Sequence, residues 1–279
     1  MRGLGATSWG VFATVAMLYC AAIVAAGDLC AQENRGEPPP PEGVGSHEIW
    51  AGGDAGAHNW LVYSGGTYAP WSDIHGDGFR LRATSGYGAY DYRLSVPGGA
   101  TSARVRVNKT YGDVLAGYQM RFGDLTAKVF GGWSFLDDTI TVPFYGARGI
   151  HSASGMKGAL ELWLNLGAKG WTSLDANYAD TQQTWSVRSR VGYRVLPTVS
   201  IGAEGVFNAI DRNGLVAQSV PVASAVGDLR VGGFVRYEWF GGEISASGGV
   251  SSFEEVGAKA TDLLHDPAIY GTLNFIVQY

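Results

Sequence analysis

Residues 185–195 read WSVRSRVGYRV, and apolar and polar side chains alternate along this stretch with a period of two. Successive side chains of a β-strand point to opposite faces, so one face of the segment is apolar and the other carries Arg188, Arg190 and Arg194. The same alternation recurs in residues 229–239 and 160–166. After residue 45 the sequence has no apolar run of 18 residues and no sustained helical periodicity, so it predicts an all-β fold.

The composition also separates this chain from ordinary soluble domains. It has 42 glycines among 279 residues and only 16% charged residues, whereas an average soluble domain has about 7% glycine and about 25% charged residues. A net charge of −5 gives no general attraction to nucleic acid. Two cysteines exclude a disulfide-rich scaffold and a cysteine-ligated zinc site, and the scattered histidines lack ligand spacing, so we expect no cofactor and no metal.

The first 45 residues differ from the rest of the chain. Arg2 precedes a mostly apolar run over residues 9–27 that ends in small residues, which predicts a signal peptide over 1–26, with cleavage possible as late as 31. An uncleaved anchor helix is the alternative. Residues 27–45 contain the four consecutive prolines 38–41 and predict an extended, disordered linker. Residues 46–279 remain as the folded domain.

The connections between the alternating segments vary in length in a regular way. The sequence contains about twelve such segments (ten to fourteen), each about ten residues long. Short connections occur at 123–124, 167–169, 196–197 and 240–241, and most of those between them are longer, at 94–108, 135–153, 209–227 and 253–269. Short turns at one edge and long loops at the other are typical of outer-membrane barrels. The sequence therefore predicts a transmembrane antiparallel up-and-down β-barrel; a soluble β-sandwich is the alternative.

The last segment agrees with this prediction. Phe275, Val277 and the final residue Tyr279 share one face of it. A C-terminal strand of this kind resembles the signal that the barrel-assembly machinery of outer membranes reads. We therefore expect outer-membrane lipid and that machinery as partners, and the outer membrane of a Gram-negative bacterium as the location.

If the apolar face meets lipid, the other face lines the lumen. The candidate lumen-lining residues are mostly charged: Arg80, Arg82, Arg121, Lys128, Glu161, Asp175, Arg188, Arg190, Arg194, Glu204, Arg230, Arg236 and Glu238. Together with Asp113, Lys157 and Glu243 they give ten basic and six acidic inward groups. Either these charges neutralise one another and fill a narrow lumen, or the arginines line a hydrated path for hydroxyl-rich or anionic solutes.

A catalytic site is not expected. Some outer-membrane barrels hydrolyse lipids with a serine that lies two residues after a histidine, so that both project from one face of a strand. Here Ala153 occupies that position after His151, and Ser152 is expected on the opposite face. Asp137 and Asp138 are assigned to a loop, where aspartate commonly shapes the backbone. We therefore predict a protein that is not an enzyme.

Several stretches carry a family resemblance. They include GDGFRLR at 76–82, GYGAY at 86–90, GALELWLN at 158–165 and VRYEW at 235–239. In their order and spacing they resemble the cellulose biosynthesis protein BcsS family of alphaproteobacteria. The resemblance covers about residues 47–279, apart from the stretches 135–153, 209–227 and 253–269.

The resemblance implies an outer-membrane barrel that works with a bacterial cellulose synthase system, in export or surface retention of the glucan. Cellulose or components of the synthase complex would be its partners, and no catalytic residues carry over. Two alternatives stay open: a structural or adhesive barrel with polymer-binding extracellular loops, and a general small-solute porin.

Overall fold

The protein forms one closed sheet of antiparallel strands. The computed structural model describes residues 45–95, 102–142, 147–181, 183–211, 225–255 and 268–279. These residues form β1 (His47–Gly56), β2 (Asn59–Tyr68), β3 (Gly78–Ser95), β4 (Ser102–Phe122), β5 (Leu125–Val142), β6 (Ala147–Leu166), β7 (Gly170–Ala179), β8 (Thr184–Leu196), β9 (Val199–Asp211), β10 (Ala225–Trp239), β11 (Gly242–Glu255) and β12 (Ala268–Gln278).

Each strand pairs with its neighbour in the chain, and β1 pairs with β12 to close the barrel. The prediction of an all-β, antiparallel up-and-down barrel of about twelve strands is thereby confirmed. The predicted signal peptide over 1–26 and nearly all of the linker over 27–45 lie outside the described residues.

The strands are inclined to the barrel axis. Following the register from Asn165 of β6 through all twelve strands returns to β6 at His151, 14 residues further up the same strand (165 − 151). A stagger of this kind is what tilts barrel strands, typically by about 35–45°. The stagger brings side chains that are distant in sequence to one height of the lumen.

The outer surface carries an apolar belt. Exposed outward-facing side chains include Val114, Tyr118, Val129, Trp133, Val191, Ile201, Val231, Val235, Leu273 and Phe275. A soluble barrel would expose a polar face there, whereas this belt suits the hydrocarbon layer of about 25 Å that such barrels cross. Among the described residues no helix is long and apolar enough to span a membrane.

Glycines allow the wall to bend sharply inward at two places. A Cβ on Gly132 would overlap the backbone oxygen of Val114, and one on Gly202 would overlap that of Val191. Neighbouring strands approach too closely at these points for any side chain. The glycine content therefore serves the curvature that closes the sheet.

The two ends of the barrel differ. One end of the barrel holds the start of β1 and the end of β12. At this end Gly123, Gly167 and Gly241 take left-handed φ angles in tight turns. One connection at this end is longer: residues 69–77, between β2 and β3, which we call the strap. Because short turns mark the periplasmic side of outer-membrane barrels, the strap lies at the periplasmic mouth.

At the opposite, extracellular end, strands β3–β6 rise above their neighbours. They contain 18, 21, 18 and 20 residues, whereas β1, β2 and β7 contain ten each. We call the part of β3–β6 that lies above the apolar belt the high wall. The prediction of long loops at 94–108 and 135–153 was wrong, since most of those residues are paired strand.

The upper part of β4, in the high wall, inverts the polarity pattern of the belt. In the belt, β4 places apolar side chains outward, such as Val114 and Met120. Higher up, the outward positions are Thr110 and Arg106, and the buried inward ones are Val105 and Val107. A wall that stands in water needs a polar outer face. The outward residues of the same strand therefore change from apolar to polar where it leaves the lipid.

Candidate functional site: the charged lumen and its strap

Glu204 of β9 is the shared partner in the first group of lumen charges. One of its carboxylate oxygens accepts hydrogen bonds from Arg188 Nε (2.8 Å), Arg188 Nη2 (2.6 Å) and Arg190 Nε (2.7 Å). The hydroxyl of Tyr270 donates to the other oxygen at 3.3 Å. One buried carboxylate therefore holds both arginines, as expected for the alternative in which the lumen charges neutralise one another.

A second group bridges strands that are not neighbours. Arg82 of β3 forms a two-pronged ion pair with Glu161 of β6, and Lys128 of β5 lies 3.8 Å from the same carboxylate. The Arg82 guanidinium also stacks on Phe130, 3.9 Å from the ring centroid. This group spans a chord of the barrel, because β3 and β6 are separated by two strands.

A third group combines arginine with tryptophan near the periplasmic end. Arg236 of β10 pairs with Glu243 (2.8 Å from Nε) and with Glu238 (2.9 Å). Its guanidinium lies over the ring of Trp163 at 4.6 Å, and Trp163 stacks on the fully buried Trp171 at 4.3 Å. These rings fill the lumen on the β6–β10 side, and their stacking faces are occupied by protein groups.

A fourth group joins the shorter strands. Arg230 of β10 bonds Asp228 at 2.7 Å and lies 3.7 Å from Asp54 of β1. Asp54 accepts a hydrogen bond from the Thr272 hydroxyl (2.6 Å), and Asn59 of β2 donates to Asp228 at 3.4 Å. A further pair, Lys157 with Asp113, links β6 to β4.

The remaining predicted residues lie at the edges of these groups. Asp175 lies between Glu161 and Arg188 in the register and faces the lumen. Arg194 donates to Asn165 at 3.2 Å near the periplasmic end, and the exposed Arg121 is at the periplasmic rim. Phe275, Val277 and Tyr279 take outward positions, and Tyr279 exchanges two backbone hydrogen bonds of 3.0 Å with His47 across the barrel seam.

The sequence predicted an excess of positive charge in the lumen because it missed several inward acidic residues. Within the described residues, the register and burial also place Glu48, Asp54, Asp138 and Asp228 inward and add one cation, Lys109. The assignment of Asp137 and Asp138 to a loop was wrong, since both lie in β5. Extending the alternation two residues from Arg230 would have found Asp228, whereas the glycine- and alanine-rich β1 gave no signal for Asp54. The lumen is close to electroneutral.

The strap is fixed to the lumen side of the periplasmic mouth by two polar side chains. Arg80 is 1% exposed and donates to Ser72 Oγ (2.8 Å), to the backbone oxygens of Asp73 and Ile74 (both 3.1 Å) and to that of Gly76. Gln119 Nε2 donates to the backbone oxygens of His75 and Gly76, both at 2.9 Å. Arg80 was predicted to line the lumen, and its partners are the carbonyl oxygens of the strap.

The strap also contacts the chain before β1. The backbone N–H of Ile74 donates to the oxygen of Gly45 at 3.2 Å, and that of Ala69 to Ser46 at 2.8 Å. Ile74 and Ala69 are buried. The strap thus covers the β1–β4 side of the mouth.

Within the strap, His75 is the titratable group that the surroundings perturb. Burial lowers its pKa below the ordinary value, since the charged imidazolium loses hydration. Asp73 and Glu48 oppose this effect, whereas Lys128 and Arg121 add to it. The strap as folded therefore favours neutral His75.

Water still reaches part of the lumen. The side chains of Lys128, Glu161 and Arg188 are 23%, 26% and 22% exposed, although each is paired. Glu238 nearer the periplasm is 30% exposed. The ion pairs therefore border a narrow hydrated space and do not seal it as a dry core.

The two side chains considered for catalysis lie on opposite faces of β6. His151 faces the lumen, and Ser152 is exposed on the opposite face of β6. Within the described ranges there is no group of three or more histidine, cysteine, aspartate or glutamate side chains that could hold a metal ion.

A closed antiparallel barrel with an apolar belt outside and paired charges inside is a barrel of the outer-membrane class. The sequence model of the family described as cellulose biosynthesis protein BcsS matches residues 49–220. The chain belongs to this family, and its role is in cellulose synthesis. No curated protein matches the chain significantly.

Solved structures with a similar fold share little sequence with the chain. The KdgM porin has a TM-score of 0.46 and 10% identity, covering 83% of this chain and 99% of the porin. The translocator domain of the autotransporter NalP from Neisseria meningitidis has a TM-score of 0.45 and 12% identity, covering 97% and 98%. The β domain of the Bordetella autotransporter BrkA has a TM-score of 0.46 and 14% identity, covering 85% and 100%.

Proposed function

We propose that this barrel is a non-enzymatic accessory of cellulose synthesis in the outer membrane, where it holds newly exported glucan at the cell surface. The supporting observation is the high wall. Its outward positions carry hydroxyl, amide and carboxylate groups: Asn108, Thr110, Asp137, Thr139 and Ser152. Groups of this kind donate and accept hydrogen bonds, as the hydroxyl groups of a glucan require.

The lumen argues against a polymer passing through this conformation. Ion pairs and hydrogen bonds join strands that are three or four positions apart, such as Arg82 with Glu161 and Asn59 with Asp228. A glucan chain would have to break several of them together. Breaking a buried ion pair by removing one partner typically costs about 3–5 kcal/mol, so this path is unfavourable.

Export of the glucan through the lumen is the second candidate. The observation in its favour is the partial exposure of Lys128, Glu161, Arg188 and Glu238, which border water. A path that widens by exchanging ion-pair partners would use these side chains.

Two sets of substitutions separate the candidates in a strain that keeps its synthase. The wall set replaces Thr110, Asp137 and Ser152 with alanine. The lumen set replaces Arg188, Arg190 and Glu204 with glutamine, so that the shared carboxylate and both of its arginine partners are removed together. Total and surface-attached cellulose are measured separately, together with the amount of folded barrel in the outer membrane.

Retention predicts that the wall set releases polymer into the medium while total cellulose is unchanged, and that the lumen set behaves like the parent. Loss of total or surface cellulose in the lumen set alone would support export and contradict retention. Deletion of the gene with normal surface cellulose would contradict both.

A further inference from the structure

The strap is unlike the other described connections on the periplasmic side, which are tight turns. It has nine residues, and it folds against the lumen-facing side chains of β3 and β4. Polymer retention does not require such a segment at the opposite side of the membrane from the high wall. Its position at the entrance to a partly hydrated lumen calls for its own explanation.

The attachment of the strap is local. Arg80 supplies bonds to three backbone oxygens of residues 73–76, and Gln119 supplies two more. No β-ladder register includes residues 69–77. The strap's other bonds run from the backbone of Ala69 and Ile74 to residues 45 and 46, and from the Arg121 N–H to Asp77. Removing the Arg80 and Gln119 bonds would therefore loosen the strap without unpairing any strand of the barrel.

The attachment is also incompletely satisfied. Arg80 Nε and Gln119 Oε1 are buried and have no hydrogen-bond partner within the described part of the chain. Burying such atoms without a partner costs free energy, and this cost is removed when the mouth opens and water hydrates them. The hydrogen bonds that hold the strap closed are therefore partly offset by the cost of burying these two unpartnered atoms.

Behind the strap, partly exposed lumen side chains are accessible to small charged or hydroxylated solutes, whereas a bulky solute would have to separate the ion pairs. The space is bordered by both signs of charge, from Glu238 through Lys128 and Glu161 to Arg188 and Asp54, which is 21% exposed. Alternating cations and carboxylates let an ion exchange partners stepwise.

We propose that the barrel is a gated passage for small ions and solutes, with the strap 69–77 as the periplasmic gate and Arg80 as its latch. Closing the gate keeps the periplasm sealed. Release of the Arg80 and Gln119 bonds opens the lumen to water and ions. This activity is independent of the retention of glucan.

The test is single-channel conductance of the full chain, purified from outer membranes and inserted into planar bilayers in potassium chloride. The variants are Arg80→Ala, Gln119→Ala and, as a matched control, Arg121→Ala. Arg121 is exposed at the same rim and bonds Asp77 of the strap through its backbone N–H, which alanine keeps. Hydrogen bonds from a charged group are stronger than neutral ones, so Arg80→Ala should raise open probability about tenfold or more. Gln119→Ala should raise it less, and Arg121→Ala should match the parent.

A labelling measurement reports the strap itself. Ile74→Cys is made in a chain whose native Cys20 and Cys30 are serine, so the new thiol is unique. Because Ile74 is buried at 3% exposure, the thiol that replaces it should resist a charged thiol reagent in the parent and react several-fold faster with Arg80→Ala. Folding of each variant is checked by its heat-modifiable migration on gels, and Gln119→Ala serves as the readout if Arg80→Ala does not fold.

Two outcomes would overturn the proposal. One is fast labelling of the Ile74→Cys thiol in Arg80→Ala without any rise in conductance, which would mean that the lumen is closed without the strap. The other is an equal conductance change in Arg121→Ala, which would show a surface-charge effect. Neither outcome bears on glucan retention, which the cellulose measurements test separately.

Discussion

The strap and the high wall are two additions to the same barrel, and they are held in different ways. The high wall is built from continuous strands whose ladders run on from the barrel, with buried apolar side chains on its inner face. The strap has no ladder and is held by two polar side chains and a few backbone hydrogen bonds to residues 45 and 46. An element held by regular pairing and apolar burial is lost only with the fold, whereas one held by a few hydrogen bonds can be released alone.

The largest expected effect comes from the lumen that connects the two regions. Glu204→Ala removes the shared partner of Arg188 and Arg190 and leaves two guanidinium groups unpaired in a largely buried site. The free energy of unfolding should fall by about 3–5 kcal/mol. Urea titration of the folded fraction in lipid vesicles measures it.

The control replaces the whole group with Arg188→Met, Arg190→Met and Glu204→Leu. Exchanging buried ion pairs for apolar side chains of similar volume is often neutral or stabilising, so the triple variant should lose less stability than the single one. Equal losses would show that these contacts do not act as a paired unit.

Next comes a substitution inside the high wall. Leu136 is 4% exposed on the inner face of β5, and Leu136→Ala should lower the free energy of unfolding by about 2–5 kcal/mol. The same titration applies, and channel conductance should not change. Val114→Ala, at an outward position 62% exposed, is the matched control and should cost much less. A rise in conductance with Leu136→Ala would mean that the wall also gates the lumen.

The contrast between strap and wall also shows what could be read from the sequence. Alternation placed Arg188 and Arg190 inward, because lipid outside and water inside impose opposite demands on successive residues of one strand. The high wall was missed because the polarity of the two faces reverses above the lipid. There the inward Val107 is apolar and the outward Thr110 is polar, so the alternation read from the belt no longer applies.

The strap and the pairing of the lumen charges could not be predicted from the sequence for another reason. The partners of Arg80 are backbone oxygens, which every residue has and no pattern marks. Pairs such as Arg230 with Asp54 are fixed by the 14-residue stagger, which depends on how all twelve strands register together. Local periodicity gives the face of a side chain but not its neighbour across the barrel.

A smaller effect is expected at the seam next to the strap. The ring of His47 lies between those of Tyr68 (4.8 Å) and Tyr279 (5.4 Å), and the residues just before it anchor the strap. His47→Ala should cost about 1–3 kcal/mol, the sum of two aromatic contacts. His47→Phe should recover most of the loss in the same titration. If labelling of the Ile74→Cys thiol also accelerates in His47→Ala, the seam and the strap are coupled, and the local release argued above would be wrong.

The smallest effect is the pH dependence of the strap. Burial lowers the pKa of His75, so the closed strap binds fewer protons than the released one, in which the pKa returns toward its ordinary value of about 6.5. The closed strap is fully favoured above about pH 6.5 and loses stability as the pH falls from there through the lowered pKa. Acidification over that window should therefore raise the labelling rate of the Ile74→Cys thiol, corrected for the intrinsic pH dependence of thiol reactivity with a free cysteine standard.

The matched variant for this measurement is His75→Asn. Asp73, Glu48, Lys128 and Arg121 face this histidine and are left in place by His75→Asn, which should remove the pH dependence of labelling. A pH response that survives in His75→Asn would place the switch elsewhere. A labelling rate that falls on acidification would contradict the sign derived from burial, because a buried histidine that loses hydration must resist protonation more than an exposed one.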